Sequence, residues 1–273
     1  MRKFAISFFI VWVLFTLSCA NPVKVVSNPW LVPFQDRHGS TLSRSQMRAM
    51  VRLANVYMKA GMEKEYQSSM VTAVELYAGD KDVTFELINF LIDKINRKRA
   101  ELQDRRNELQ SLGVDPKSVT RDNLPQAEPA HAKASQYMDS REMLESQYEE
   151  CFRILSNACW QMPYDPELYY RIASLQYLRA EEDGDRNKYK DAVNFLKRGI
   201  ASDSGHLESY HLIALAYEKL GDNDRAIRFW QLFETIYEIA PQVMGKQFVT
   251  QQRERLHREA LQHLEQLGPG SKR

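Results

Sequence analysis

Enzymatic chemistry in these 273 residues would rest on three cysteines, six histidines and 36 carboxylates. The histidines are His38, His131, His206, His211, His257 and His263, and no two share the four-residue spacing with glutamate that makes a zinc helix. The chain has no glycine-rich phosphate loop and no Gly-x-Ser-x-Gly elbow. Asp183-x-Asp185-x-Asn187 opens like a calcium loop, but Lys188 stands where glycine is required and Asn194 where glutamate is required. A solvated acidic turn is expected there. Cys151 and Cys159 on one helix would have Cα atoms about 12 Å apart, beyond the roughly 7 Å limit for a disulfide. They are expected to be small buried apolar residues, because free thiols in an oxidising compartment persist only when shielded. No catalytic residue, metal ligand or cofactor site is therefore expected, and the chain reads as a non-enzyme.

Cys19 offers covalent chemistry of another kind. It ends the most apolar run of the sequence, in LFTLSCANPVKVV (14–26). Met1-Arg2-Lys3 is a short basic start, and Phe4 to Leu17 carries no charge. That order of basic, apolar and small residues is the layout of a secretory signal, and the run is shorter than the about 20 apolar residues that cross a bilayer. Two cleavage sites compete. Phe15-Thr16-Leu17-Ser18-Cys19 resembles a bacterial lipobox, in which the cysteine becomes an acylated N-terminus, although Thr16 stands where leucine is commonest. Ser18-Cys19-Ala20 offers a small-x-small site with cleavage after Ala20. The following stretch favours the lipobox: residues 20–40 hold Pro22, Pro29 and Pro33 and no helical period, as a semi-stiff tether between membrane and body would, with Trp30 and Phe34 as apolar points of attachment. The expected organisation is a signal at 1–18, a lipidated tether at 19–43, a helical domain at 44–268 and a frayed tail at 269–273.

Cleavage before Cys19 leaves 255 residues and moves the net charge from +1 to −1 through loss of Arg2 and Lys3. Such balance gives no reason to expect nucleic acid as a partner.

The body is repetitive. In LESYHLIALAYEKLGDNDRAIRFWQLFETIYEIAP (207–241), Tyr210, Ile213, Ala214 and Tyr217 form one helical stripe. A Leu220-Gly221-Asp222 turn follows, then a second stripe through Ala226, Phe229, Trp230 and Phe233, with Pro241 expected to end it. This resembles a tetratricopeptide repeat, with its aromatic-x2-Leu-Gly/Ala-x2-Tyr first helix, alanine-led second helix and closing proline. The same plan appears at 166–204, with Tyr169, Ile172, Ala173 and Tyr177, then Ala192, Leu196 and Gly199. A weaker copy starts at 50–61 with Leu53, Ala54, Tyr57 and Gly61, its second helix opening at Tyr66 rather than alanine. The remaining copy pairs 83–95, with Phe85, Ile88 and Ile92 in pattern and Asn89 at the small position, with CFRILSNACWQMP (151–163).

Between those two helices, Ile95, Leu102 and Leu109 extend the apolar stripe past the repeat, GVDPKSVTRDNLPQAEP (113–129) reads as a loop, and helix resumes near 131. A helical hairpin projecting from the stack is expected, with residues about 97–137 contributing little core. The basic run KINRKR (94–99) reads as a solvated face paired with Glu101, Asp104 and Glu108 at helical spacing. Residues 247–267 place Phe248, Leu256, Ala260, Leu264 and Leu267 on one face, suiting the terminal cap a solenoid needs.

The fold implied is an all-α solenoid of about four antiparallel helix pairs. The family binds partners on a concave face lined by first helices. Transferred by pattern, that face carries Arg48, Asn55 and Lys59, then Tyr170, Ser174 and the edge of Tyr177, then His211, Leu215 and Glu218. The strip lacks the Lys/Asn clamp that family members use for a C-terminal carboxylate. The resemblance implies a membrane-anchored adaptor of the bacterial envelope with a protein or peptide partner, facing the periplasm. Ala20 is not the aspartate that favours inner-membrane retention, so an outer-membrane location is expected. A solute-binding transport component with a ligand pore through the stack is the alternative.

Overall fold

The computed structural model describes residues 41–77, 79–245 and 248–267. Cys19, the signal and the tether up to residue 40 lie outside them, as does the tail from 268 onward. The described residues form α1 (Thr41–Lys59), α2 (Glu63–Leu76), α3 (Lys81–Ser111), α4 (Ala130–Gln161), α5 (Pro166–Asp183), α6 (Arg186–Ser202), α7 (Leu207–Lys219), α8 (Asn223–Met244) and α9 (Gln251–Leu267). Helix thus begins at Thr41 rather than at 44.

Local sequence sets the breaks. Asp80, Asp165, Asp185 and Asp222 cap α3, α5, α6 and α8, each carboxylate accepting a backbone N–H of the first turn. Gly61 and Gly221 take positive φ at the turns inside the first and last pairs, a conformation that costs glycine least. The expected acidic turn is a pair of caps: Asp183 accepts the N–H of Asp185 and pairs with Lys188, while Asp185 accepts that of Asn187. Pro241 does not end α8. It removes one donor from the ladder, and the helix continues to Met244, the N–H of the capping Gly245 reaching Pro241 O at 3.0 Å.

The helices form consecutive antiparallel pairs, α1/α2, α3/α4, α5/α6 and α7/α8, with α9 stacked on α8. This is an all-α solenoid. Small residues sit where pairs close: Ala54, Ala73, Ala173, Ala192, Ala214, Ala226 and Ala260 are fully buried. Trp230, Tyr148, Phe233, Leu87 and Leu155 fill the layers between them. A Cβ added at Gly199 would meet Pro166 O, Tyr169 Cβ and Ser209 Oγ, all at 3.4 Å, so α6 sits tightly between α5 and α7.

Side chains trace one edge of the stack through the starts of α1, α3, α5, α7 and α9. Arg44 of α1 donates to Tyr77 Oη beyond α2 at 2.8 Å. Lys81 at the start of α3 pairs with Asp165 before α5 at 2.5 Å. Glu167 of α5 meets His206 before α7 at 3.3 Å, and Glu208 of α7 meets Arg253 of α9 at 2.8 Å.

Two corrections concern α3 and α4. The buried stripe of α3 is Thr84, Leu87, Ile88, Leu91 and Ile95; Ile88 and Ile95 lie on it as expected, whereas Phe85 and Ile92 are half-buried beside it. Asn89 is therefore not at the close-packed position; it is exposed and accepts from Arg171 Nη1 at 2.5 Å. The hairpin also has a core of its own. Ile88, Ile95, Leu102 and Leu109 recur every seven residues on α3, as do Tyr137, Leu144, Cys151 and Ala158 on α4, and all are buried. Each helix thus turns one buried residue in every seven toward its partner. Val119 of the connecting loop is buried as well. The region 97–137 is thus packed, not merely appended.

Candidate partner-binding surface

On α1, Arg48, Asn55 and Lys59 are exposed. Farther along, the stack uses the same positions internally. Tyr170 is half-buried with its ring 5.5 Å from that of His206, and Ser174 Oγ donates to the Tyr170 carbonyl of its own helix at 2.8 Å. Tyr177 is only 8 % exposed and packs edge-on against Tyr189 at 5.2 Å.

On α7 the expectation of an open groove is overturned. His211 is 8 % exposed, set edge-on to Trp230 at 5.1 Å and Phe233 at 5.8 Å. Its Nε2 stands 3.2 Å from Glu259 of α9 without hydrogen-bond alignment. Burial holds this imidazole below its ordinary pKa against the pull of Glu259. Leu215 packs into the cores on both sides of α7. Glu218 accepts from Trp230 Nε1 at 2.6 Å and meets His263 Nδ1 at 3.0 Å. His263 stacks on Trp230 at 5.0 Å, and His257 pairs with Glu234. Thus α9 covers the face of α7. The residues that make this contact, His211, His257 and His263 with Glu259, Glu234 and Glu218, are all in the sequence, but nothing in their local spacing pairs them.

The basic run of α3 is solvated in part, Asn96 and Arg97 being exposed, but it is not confined to pairs on its own helix. Lys98 does pair with Glu101 at 2.6 Å, but its neighbours reach other helices. Arg97 pairs with Glu63 of α2 at 3.1 Å, and this guanidinium holds the Glu63 carboxyl below its ordinary pKa. Lys94 donates to Gln67 at 2.6 Å, and Gln67 donates onward to Glu150 of α4 at 2.6 Å. Arg99 and Arg106 converge on Glu182 at the end of α5, each at 2.8 Å.

These contacts seat the hairpin between its neighbours and leave a cleft on each flank. One, of about 640 Å³, lies between the α1–α2 turn, α3 and α4. Its apolar elements are Met62 and Met143, 41 % and 52 % exposed, flanked by Lys64, Glu65 and Lys98. Its floor includes Gln147, whose buried Oε1 has no partner. The other, of about 340 Å³, lies between the hairpin and α5, with Leu102, Met138 and Leu144 below and Arg141, Glu142 and Glu145 around it. Arg179 beneath it binds Glu145 and Glu149, and burial lowers its pKa. Methionines adapt to varied apolar partners, and lysines with glutamates at the rim add charge selectivity. Sequence patterning missed this surface because it arises from the insertion, not from the repeat.

Cys151 and Cys159 are free thiols shielded by α4's packing, and burial pushes both up to about 12. No group of histidines, cysteines and carboxylates suited to a metal ion occurs among the described residues, and no described helix is long and apolar enough to cross a membrane.

No family model and no curated protein matches the chain. Solved structures do. A crystal structure of MamA protein is 14% identical over 72% of this chain and 94% of that one, with a TM-score of 0.34. A second crystal structure of MamA is 14% identical over 70% and 97%, with a TM-score of 0.34. The TPR2AB-domain:pHSP90-complex of yeast Sti1 is 14% identical over 80% and 71%, with a TM-score of 0.33.

Proposed function

We infer that this chain is a non-catalytic scaffold that binds a protein or peptide partner in the bacterial cell envelope, anchored to the membrane by a lipid on Cys19. The observation that carries the binding role is the packed hairpin, which holds open clefts on both flanks while the stack behind it is filled. Large side chains such as Trp230, Phe233, Tyr148 and Leu155 close the layers, which supports an adaptor over a carrier with a ligand pore. Met62, Met143 and the charged residues around them supply the adaptable apolar centre and polar rim of a peptide-binding surface. The lipobox-like FTLSC and the proline-bearing stretch after it support the anchor and a position facing the periplasm, the outer membrane being preferred for want of aspartate beside Cys19.

Cys19→Ser tests the anchor. The variant is expected to leave the membrane pellet or to remain unprocessed, and the mature wild-type N-terminus is expected to be acylated by mass spectrometry. An unmodified Asn21 start would refute the lipid.

A further inference from the structure

The first helix of a pair carries a row of residues that meets the pair before it. On α7 this row is Ser209, Ile213 and Ala216, all buried. Ile213 and Ala216 share a core with Ala192, Val193 and Leu196 of α6, and Ser209 Oγ lies where a Cβ on Gly199 of α6 would meet it at 3.4 Å. On α5 the same row is Leu168, Ile172 and Leu175, buried as well, with α4 packed ahead of it. Counted from Ala54 as from Ala173 and Ala214, the row on α1 is Ala49, Leu53 and Val56. All three are exposed, Leu53 to 40 % and Val56 to 62 %. No described helix precedes α1. The stack therefore opens on the packing face of an interior repeat. Its other end is finished: α9 turns Glu254, Arg255, Arg258, Gln262 and Glu265 to solvent, the polar outer side of a cap.

Within this chain the row is covered each time by a helix, so a helix is the shape it accepts. Charge selects which helix. The α1 segment holds Arg44, Arg48, Arg52 and Lys59 and no carboxylate. Arg48 and Arg52 lie about one turn apart, and Arg52 lies about one turn from Val56. Both arginines are exposed, and neither has an acidic partner among the described residues. The position of Arg48 is occupied on α5 and α7 by Glu167 and Glu208, so the sign is inverted at the open end. A second copy stacked through its own α1 would set arginine against arginine. One stacked through α9 would set charged side chains on Leu53 and Val56. Opposite charge on the incoming helix satisfies the arginines that border the apolar row.

We propose that the open end of the stack docks an amphipathic helix of a partner protein, with its apolar face on Leu53 and Val56 and acidic residues along its edge facing Arg48 and Arg52. This surface is separate from the cleft at Met62 and Met143 and adds to it rather than resting on it.

Two helical peptides of about 18 residues, long enough to run along α1, serve as probes. Both carry leucine and alanine on one face; one has glutamates along its edges and the other lysines. By fluorescence anisotropy the full chain is expected to bind the glutamate peptide at least about tenfold more tightly than the lysine peptide. Val56→Glu is expected to weaken that binding about tenfold, and Arg48→Glu with Arg52→Glu to transfer the preference to the lysine peptide. The three side chains are exposed, so the variants are expected to melt like the wild type by circular dichroism. Binding of neither peptide, or binding that the variants leave unchanged, overturns the proposal. A photo-crosslinking side chain in place of Val56, activated in native envelope, identifies the source. An adduct on an acidic amphipathic helix of another protein is expected. An adduct on phospholipid, on a second copy or on this chain's own residues, or no adduct, overturns the assignment.

Discussion

Trp230→Ala probes how stability is distributed along the stack. Trp230 is fully buried, bonded through Nε1 to Glu218 and stacked on His263 with His211 at its edge. Its removal leaves a large cavity among α7, α8 and α9 and takes a donor from a half-buried carboxylate. Truncations of this kind cost about 3–5 kcal/mol. In a solenoid each pair contacts only its neighbours, so the loss is local. Hydrogen exchange resolves it: the slowest amides of α7, α8 and α9 are expected to exchange faster by between about two and four powers of ten, each power being about 1.4 kcal/mol. Amides of α1 to α4 are expected to keep their rates. Equal acceleration in all helices would refute the local coupling, and no acceleration in α7–α9 would refute the placement of Trp230.

Ala214→Leu, which overfills the α7–α8 contact, is expected to lower stability by about 1–3 kcal/mol in denaturant titrations. Leu102→Ala is expected to cost about 2–5 kcal/mol of hairpin protection by hydrogen exchange, whereas an unpacked extension would show no change. Acid is expected to loosen α9. Burial depresses the pKa of folded His211, although Glu259 and Glu208 oppose this and His263 adds to it. The unfolded state therefore takes up its proton first as pH falls. The contribution is present above the ordinary histidine value of about 6.5 and is lost below it. His211→Gln is expected to reduce the pH dependence of Trp230 fluorescence, and an unchanged dependence would show that other groups govern it.

The repeats from α5 to α8 were legible because each demand of the pattern is local. Ala173, Ala192, Ala214 and Ala226 are all fully buried where the spacing places them. The register of α3 was legible only in part: Ile88 is buried as expected, but FELINFLI puts apolar residues on several faces and the partner helix selects Leu87 and Leu91 over Phe85 and Ile92. The hairpin core was written in the sequence as a seven-residue period through Ile88, Ile95, Leu102 and Leu109, but the intervening arginines resembled a solvated helix. They are bound instead by Glu63 and Glu182 from helices distant in sequence. The strip of Tyr177, His211, Leu215 and Glu218 failed as an open groove because it was assigned repeat by repeat. Coverage by α9 depends on pairs such as His211–Glu259 and Glu218–His263, which join residues more than 40 positions apart.

The most direct measurement of the scaffold role is capture of a partner from detergent-solubilised envelope by the full chain and by Met62→Glu with Met143→Glu. Both methionines are exposed, so the double variant is expected to melt like the wild type. The wild type is expected to retain a defined protein that the double variant loses, because two carboxylates replace the apolar centre of the cleft beside the hairpin. Equal capture by the two proteins, or no protein retained by the wild type, would contradict the assignment of that cleft as the binding surface.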